Sequence, residues 1–227
     1  MFRLIPIIAI AGVLSSVPAF AQDRQLQPYI EGQISRVFID DVDANTTTQV
    51  GGFNAAVDLT GEYEDATALG AEIGIAGIGG SGLRMGLGYT TFDAELEAID
   101  VSAAISFGGV ALATVADRVT ADQLRNAGAD IGEKVKAYSI NAYYDVDMST
   151  AIRPYIGLGV GLADIENMED KEVMLSGYVG ANYSFTENFY AGLRASIHHI
   201  EGPEDEAGIL YDDIRTYALG LVVGVKF

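Results

Sequence analysis

From Thr216 to Phe227 the chain alternates without a break. Tyr217, Leu219, Leu221, Val223, Val225 and Phe227 fall on one side, and Thr216, Ala218, Gly220, Val222, Gly224 and Lys226 on the other. A period of two places each set on one face of a β-strand. The strand is long enough to cross a bilayer and ends on an aromatic residue, as a transmembrane β-barrel requires. The second face is mostly Gly and Ala rather than Lys, Glu or Ser. Small side chains there suit the interior of a narrow, filled barrel.

The N-terminal end points outward from the cytoplasm. A short basic start at Arg3, an apolar run from Ile5 to Leu14 and the small-x-small site Ala19-Phe20-Ala21 read as a secretory signal peptide over residues 1–21. Residues 22–227 then fit one β-barrel domain. The formal net charge is −19, and losing residues 1–21 removes only Arg3, a base. Such acidity argues against nucleic acid as a partner. There is no Cys, so no disulfide is available, and no run of 18 apolar residues follows the leader.

The same code recurs upstream. Strands are predicted near 28–38 (Ile30, Ile34 and Phe38 outward; Glu31 and Gln33 inward), near 67–78, and from Leu83 to Thr90. More follow near 135–146, from Arg153 to Leu162, from Tyr178 to Phe185, from Phe189 to His198, and at the C-terminus. The fold class is therefore all-β, an eight-stranded antiparallel up-and-down transmembrane barrel. Short connections near 79–82, 147–150 and 185–188 alternate with longer ones near 39–66, 94–134, 164–172 and 201–213, the outer-membrane pattern of short periplasmic turns and long external loops. The second external loop is expected to be partly helical. Residues Val110 to Val119 have roughly helical spacing, Thr120 with Gln123 has capping-box spacing, and Gly128 closes a short helix. Its uncharged stretch 101–116 has three readings: extension of the flanking strands beneath that helix, a partner-binding surface, or two further transmembrane strands, making ten.

Asn141-Ala142-Tyr143-Tyr144-Asp145, Arg153-Pro154-Tyr155-Ile156-Gly157-Leu158-Gly159-Val160-Gly161 and the terminal Phe227 resemble small Gram-negative outer-membrane barrels of the OmpA/OmpX kind, nearest to surface-antigen and opacity-type proteins. The resemblance is strongest over 134–227. It implies residence in the outer membrane among lipid and lipopolysaccharide, and recognition of Phe227 by the barrel-assembly machinery. It implies no cofactor. No peptidoglycan-binding domain follows the barrel, unlike two-domain members.

The candidate site residues are the lumen charges Glu31, Glu72, Arg84, Asp145, Arg153, Arg194 and Lys226. Desolvated charges must pair, so these read as a network that plugs the barrel, and Tyr143, Tyr155, Tyr178 and Tyr190 add bulk. Ser196 and His198, with Glu201 nearby, raise the thought of a lipid hydrolase, but the pair faces a filled lumen, and the reading is a hydrogen-bonded rim histidine. Acids crowd the first loop (Asp40, Asp41, Asp43, Asp58, Glu62, Glu64, Asp65) and the fourth (Glu201, Glu204, Asp205, Glu206, Asp212, Asp213). They read as a solvated rim, with weak bridging of divalent cations as the sharper possibility. Asp41-x-Asp43-x-Asn45 begins like a calcium loop but has Thr46 where Gly belongs and Gly52 where Glu belongs. The function expected is that of a monomeric surface barrel presenting acidic loops, for adhesion or host contact. A small porin-like channel is the alternative, and a lipid-modifying enzyme the third.

Overall fold

The computed structural model describes residues 26–146, 150–168, 170–203 and 210–227. The signal-peptide reading, most of the 147–150 turn, and Glu204, Asp205 and Glu206 lie outside them. Twelve strands and one short helix are present: β1 (Gln27–Ile39), β2 (Val42–Val50), β3 (Phe53–Tyr63), β4 (Ala66–Ile78), β5 (Leu83–Phe107), β6 (Val110–Thr120), α1 (Ala121–Asn126), β7 (Gly132–Asp145), β8 (Ile152–Ile165), β9 (Glu172–Ser184), β10 (Phe189–Ile200), β11 (Leu210–Tyr211) and β12 (Ile214–Lys226).

Eight of them form a ring. β1 pairs with β4, β4 with β5, β5 with β7, and the meander continues through β8, β9 and β10 to β12. The ring closes where β12 returns to β1, with Ile30 opposite Val225 and Ile34 opposite Leu221. All pairings are antiparallel. Closure leaves the ring no free edge, the condition for β-structure in hydrocarbon.

The outward side chains follow the predicted parity. Leu221 and Val223 are 58% and 62% exposed, while Val222 between them is 1%. Ile73, Leu87, Ile140, Leu158 and Leu193 are likewise bare. A belt this large cannot stand in water. Exposed Phe38, Tyr89, Tyr138 and Tyr217 edge it towards the external end, and Tyr144, Tyr183, Phe185 and Phe189 towards the periplasmic end. Two aromatic girdles flanking an apolar band locate the two membrane interfaces.

The second external loop differs from expectation. Val110 to Val119 is strand β6, not helix, and helix is confined to the six residues of α1. Alanines at 111, 113 and 116, on both alternate sets, weaken the contrast between a period of 2 and one of 3.6, and the backbone pairing with β5 decides. The predicted cap is present: the Thr120 N–H donates to Gln123 Oε1 at 2.8 Å, and Gly128 ends the turn at φ +84. The ten-strand barrel is overturned too, because β6 pairs with the part of β5 beyond the ring.

The first external loop is also strand. β2 and β3 form a hairpin, and β3 pairs with the outer half of β5. β11, β2, β3, outer β5 and β6 thus make a second sheet outside the membrane. Both of its long hairpins turn through Gly-Gly: Gly51 and Gly52 at φ +59 and +85, Gly108 and Gly109 at +57 and +82. Two consecutive positive φ values give the twist that suits a two-residue hairpin. β5 carries 25 residues, roughly 80 Å at strand rise, and belongs to both sheets.

Candidate functional site

The lumen has two storeys. In the periplasmic half, Glu31 accepts from Arg194 Nη2 at 2.5 Å and Tyr190 Oη at 3.0 Å, with Arg84 Nη1 3.8 Å away. Arg84 also donates Nε to Asp145 at 3.0 Å. Arg194 donates further to Tyr155 Oη at 3.0 Å and Gln33 Oε1 at 2.9 Å. Among the described residues no cation lies within ion-pair distance of Glu72; Tyr29, Asn141 and Tyr143 donate to it at 2.5, 2.7 and 2.7 Å. Among the described residues the terminal nitrogens of Arg84 have no hydrogen-bond partner. They are compensated by π faces, since its Cζ lies 4.6 Å from the Tyr143 ring centre and 5.0 Å from that of Tyr155.

Five of the seven expected lumen charges therefore share one plug. Arg153 and Lys226 do not join it. They line the periplasmic mouth, and neither is within ion-pair distance of a carboxylate among the described residues. Tyr29, wholly buried, was not foreseen, although it shares the alternate face of Glu31. The inward glycines make room for these rings. A Cβ on Gly157 would lie 2.3 Å from Tyr143, and one on Gly224 2.2 Å from Tyr190.

The external half of the lumen is mostly apolar, with Glu133, Tyr63 and Thr216 as polar members of its lining. Val135, Ala137, Ala163, Ile165, Met174 and Ile200 form one buried cluster, and Val37, Ala66 and Ala68 another, with Phe92 packing on both. Two cavities within the lumen are small, about 20 Å3 beside Glu72, Asn141 and His198 and about 30 Å3 among Ile39, Val42, Tyr63, Val135 and Ile214, whereas the periplasmic mouth around Arg153 and Lys226 opens into spaces of about 270 and 500 Å3. Each of the two small ones holds about one water.

His198 sits at the junction of the storeys. Ser176 Oγ lies 2.8 Å from its Nδ1 and Ser196 Oγ 2.9 Å from its Nε2. Both ring nitrogens are taken by hydroxyls, so no carboxylate orients the ring as a hydrolytic triad would need. Glu201 is exposed.

The acidic rim is less bare of bases than its sequence. Asp65 pairs with Arg36 at 3.3 Å. Arg118 of β6 grips Glu62 of β3 through both terminal nitrogens, at 2.5 and 2.6 Å, and Asp100 of β5 at 3.0 Å. Those hydrogen bonds hold the Glu62 carboxyl below the ordinary glutamate range and push the Arg118 guanidinium up. Among the described residues, no three acidic or histidine side chains converge as a metal site.

The external sheet has unlike faces. Phe53, Ala55, Val57 and Leu59 lie opposite Phe107, Ile105, Ala103 and Val101, and the β6 partners of Ile105 and Ala103 are Ala113 and Val115. Directly opposed residues share a face, so this face is apolar. Phe53, Phe107 and Val115 on it are 45%, 51% and 62% exposed. The other face carries Asn54, Asp58, Thr60, Asp100, Ser102, Thr114 and Arg118.

A closed eight-strand ring with a lipid-facing belt and a filled lumen defines a small transmembrane barrel of the Gram-negative outer membrane. The chain belongs to the outer membrane protein beta-barrel domain family, whose model matches residues 7–227. Among solved structures it is similar to Neisserial surface protein A, at 14% identity over 88% of this chain and 97% of that one, with a TM-score of 0.48. It is also similar to the outer membrane protein OprG from Pseudomonas aeruginosa, at 16% identity over 88% and 95%, with a TM-score of 0.45. No curated protein matches it by sequence.

Proposed function

We propose that this protein is a surface-contact barrel, in which the plugged ring is the anchor and the external sheet is the working part. The observation that carries the reading is the exposed apolar face of that sheet, held outside the membrane by a strand that is also part of the barrel wall. The lumen favours this over transport: Glu31, Arg84 and Arg194 are paired across it, tyrosines fill it beneath His198, and the wide spaces lie at the periplasmic mouth, on one side of that plug. The serine partners of His198 favour a structural histidine over lipid hydrolysis. Phe227, paired to β1 through its N–H to Pro28 O at 2.9 Å, keeps its proposed role as the assembly signal.

Two measurements test the reading. Refolded protein in planar bilayers should give no steady large conductance; a stable large current would promote the channel alternative. Cells displaying the protein should adhere to cultured epithelial monolayers more than isogenic cells lacking it, and equal adhesion would remove the contact role.

A further inference from the structure

The charge on the external sheet stops at a level line. The register sets Asn45, Asp58, Ser102 and Ala116 side by side across β2, β3, β5 and β6. In that row and those just below it lie Asp43, Asp58, Asp100, Asp117 and Arg118. Beyond it, towards the Gly-Gly turns, none of the four strands carries a charge: residues 44–57 and 101–116 contain no Asp, Glu, Lys or Arg, in a chain of net charge −19. Five ladder rows lie above the line, roughly 15 Å of strand. Each strand leaves the acidic zone at the same height, although each got there by its own sequence.

The cap above the line is amphipathic. One face presents Phe53, Val57, Ile105, Phe107 and Val115. The other presents Asn54, Thr47, Ser106 and Thr114, all neutral hydroxyls or amides. The Phe53 and Phe107 rings meet at 4.9 Å beside the two turns, and Val110 and Leu112 beyond them are 65% and 57% exposed.

A partner protein would be met by a shaped contact with its own charges to match. A boundary that runs straight across four strands fits a planar partner instead. We propose that this neutral cap inserts into the interface of an apposed membrane whose headgroups carry no net charge. The inference rests on the external sheet being the working part of the protein. Aromatic and aliphatic side chains with hydroxyls and amides suit the headgroup–acyl boundary. The free edge of β6 sets the depth, because unpaired backbone groups are not tolerated in the hydrocarbon core. The cap therefore stops within about 5–10 Å of the surface. The acidic rows below act as a collar that repels an anionic surface, so the same element avoids the phosphorylated outer leaflet of its own cell.

The test uses the refolded protein in nanodiscs, mixed with separate vesicles. The chain has no Trp, so Phe107→Trp supplies a single reporter. With phosphatidylcholine vesicles its emission should shift to the blue, and brominated lipid placed only in the vesicles should quench it. Replacing about a third of that lipid by phosphatidylglycerol should weaken the association at least fivefold at low salt. The double variant Phe53→Ser/Phe107→Ser should reduce co-flotation of nanodiscs with phosphatidylcholine vesicles at least tenfold, while its barrel keeps the heat-modifiable gel mobility of the folded form. No shift or quenching at saturating vesicles, a blue shift before vesicles are added, a preference for anionic vesicles, or full co-flotation of the serine variant would each overturn the proposal. Epithelial adhesion that survives in the serine variant would leave the contact role standing and sink the membrane as its target.

Discussion

β5 passes through two surroundings on one run of backbone. From Leu83 to Thr91 its odd residues face lipid and its even residues face the plug. From Ile99 to Phe107 one side is apolar, half-buried at Ile99 and Val101 and exposed at Ile105 and Phe107, and the other is polar. The alternation is the same in both halves; closure differs. Where the ring is complete, the apolar set becomes a lipid belt and the opposite set can pair charges across a short gap. Where the sheet stays open, the apolar set remains a contact surface. An apolar side chain is thus part of the anchor or part of the contact surface according to the sheet it sits in, whatever its exposure.

Variants can break or sharpen that contrast. The largest effect is expected inside the ring. Arg194→Ala leaves Glu31 with Tyr190 and a distant Arg84, and removing one member of a buried pair costs about 3–5 kcal/mol. Urea unfolding in vesicles, followed by gel mobility, measures it, and a loss below about 1 kcal/mol would mean that the plug is wet. The next effect separates two leucines of equal exposure, Leu221 at 58% and Leu112 at 57%. Leu221→Arg should cost about 2–4 kcal/mol near the bilayer midplane, whereas Leu112→Arg on β6 should stay within about 0.5 kcal/mol, as exposed substitutions usually do. Equal costs would erase the distinction between belt and external sheet.

The smallest effect concerns acid. Arg118 lowers the Glu62 carboxyl in the folded sheet, so this clasp contributes fully above the ordinary glutamate range and is lost as pH falls through the lowered folded value. Protection of the β3 and β6 amides, relative to their intrinsic exchange, should fall once the pH drops well below the ordinary glutamate range, while β1 and β12 stay protected. Glu62→Gln should abolish that pH dependence, and uniform exchange across both sheets would refute it.

The ring was legible because lipid on one side and a crowded lumen on the other impose strong alternation on each strand. Leu219 to Val225 and Leu158 to Leu162 could hardly be read otherwise. The convergence of Glu31, Glu72, Arg84, Asp145 and Arg194 followed from parity alone. What parity could not give was height along the barrel axis, and that is what keeps Arg153 and Lys226 at the mouth. The external strands were missed because the forces that shape them leave little pattern. Thr46-Thr47-Thr48 has no period, and in β6 alanines fall on both alternate sets, at 111, 113 and 116. Their signals were the two Gly-Gly pairs, each with an apolar residue on either side, which mark hairpins more securely than the strands mark themselves.

The plug also bears on how the molecule assembles. Glu31 and Arg194 are 163 residues apart and sit on strands separated in the ring only by β12. Their ion pair cannot form until the first and last strands have met, so it belongs to the final step of assembly. Five of the chain's 12 tyrosines, at positions 29, 143, 155, 178 and 190, lie in or beside that plug, and no tryptophan outshines them. Intrinsic tyrosine emission should therefore mark the moment of closure, distinguishing chains that have merely reached the bilayer from those whose wall is sealed.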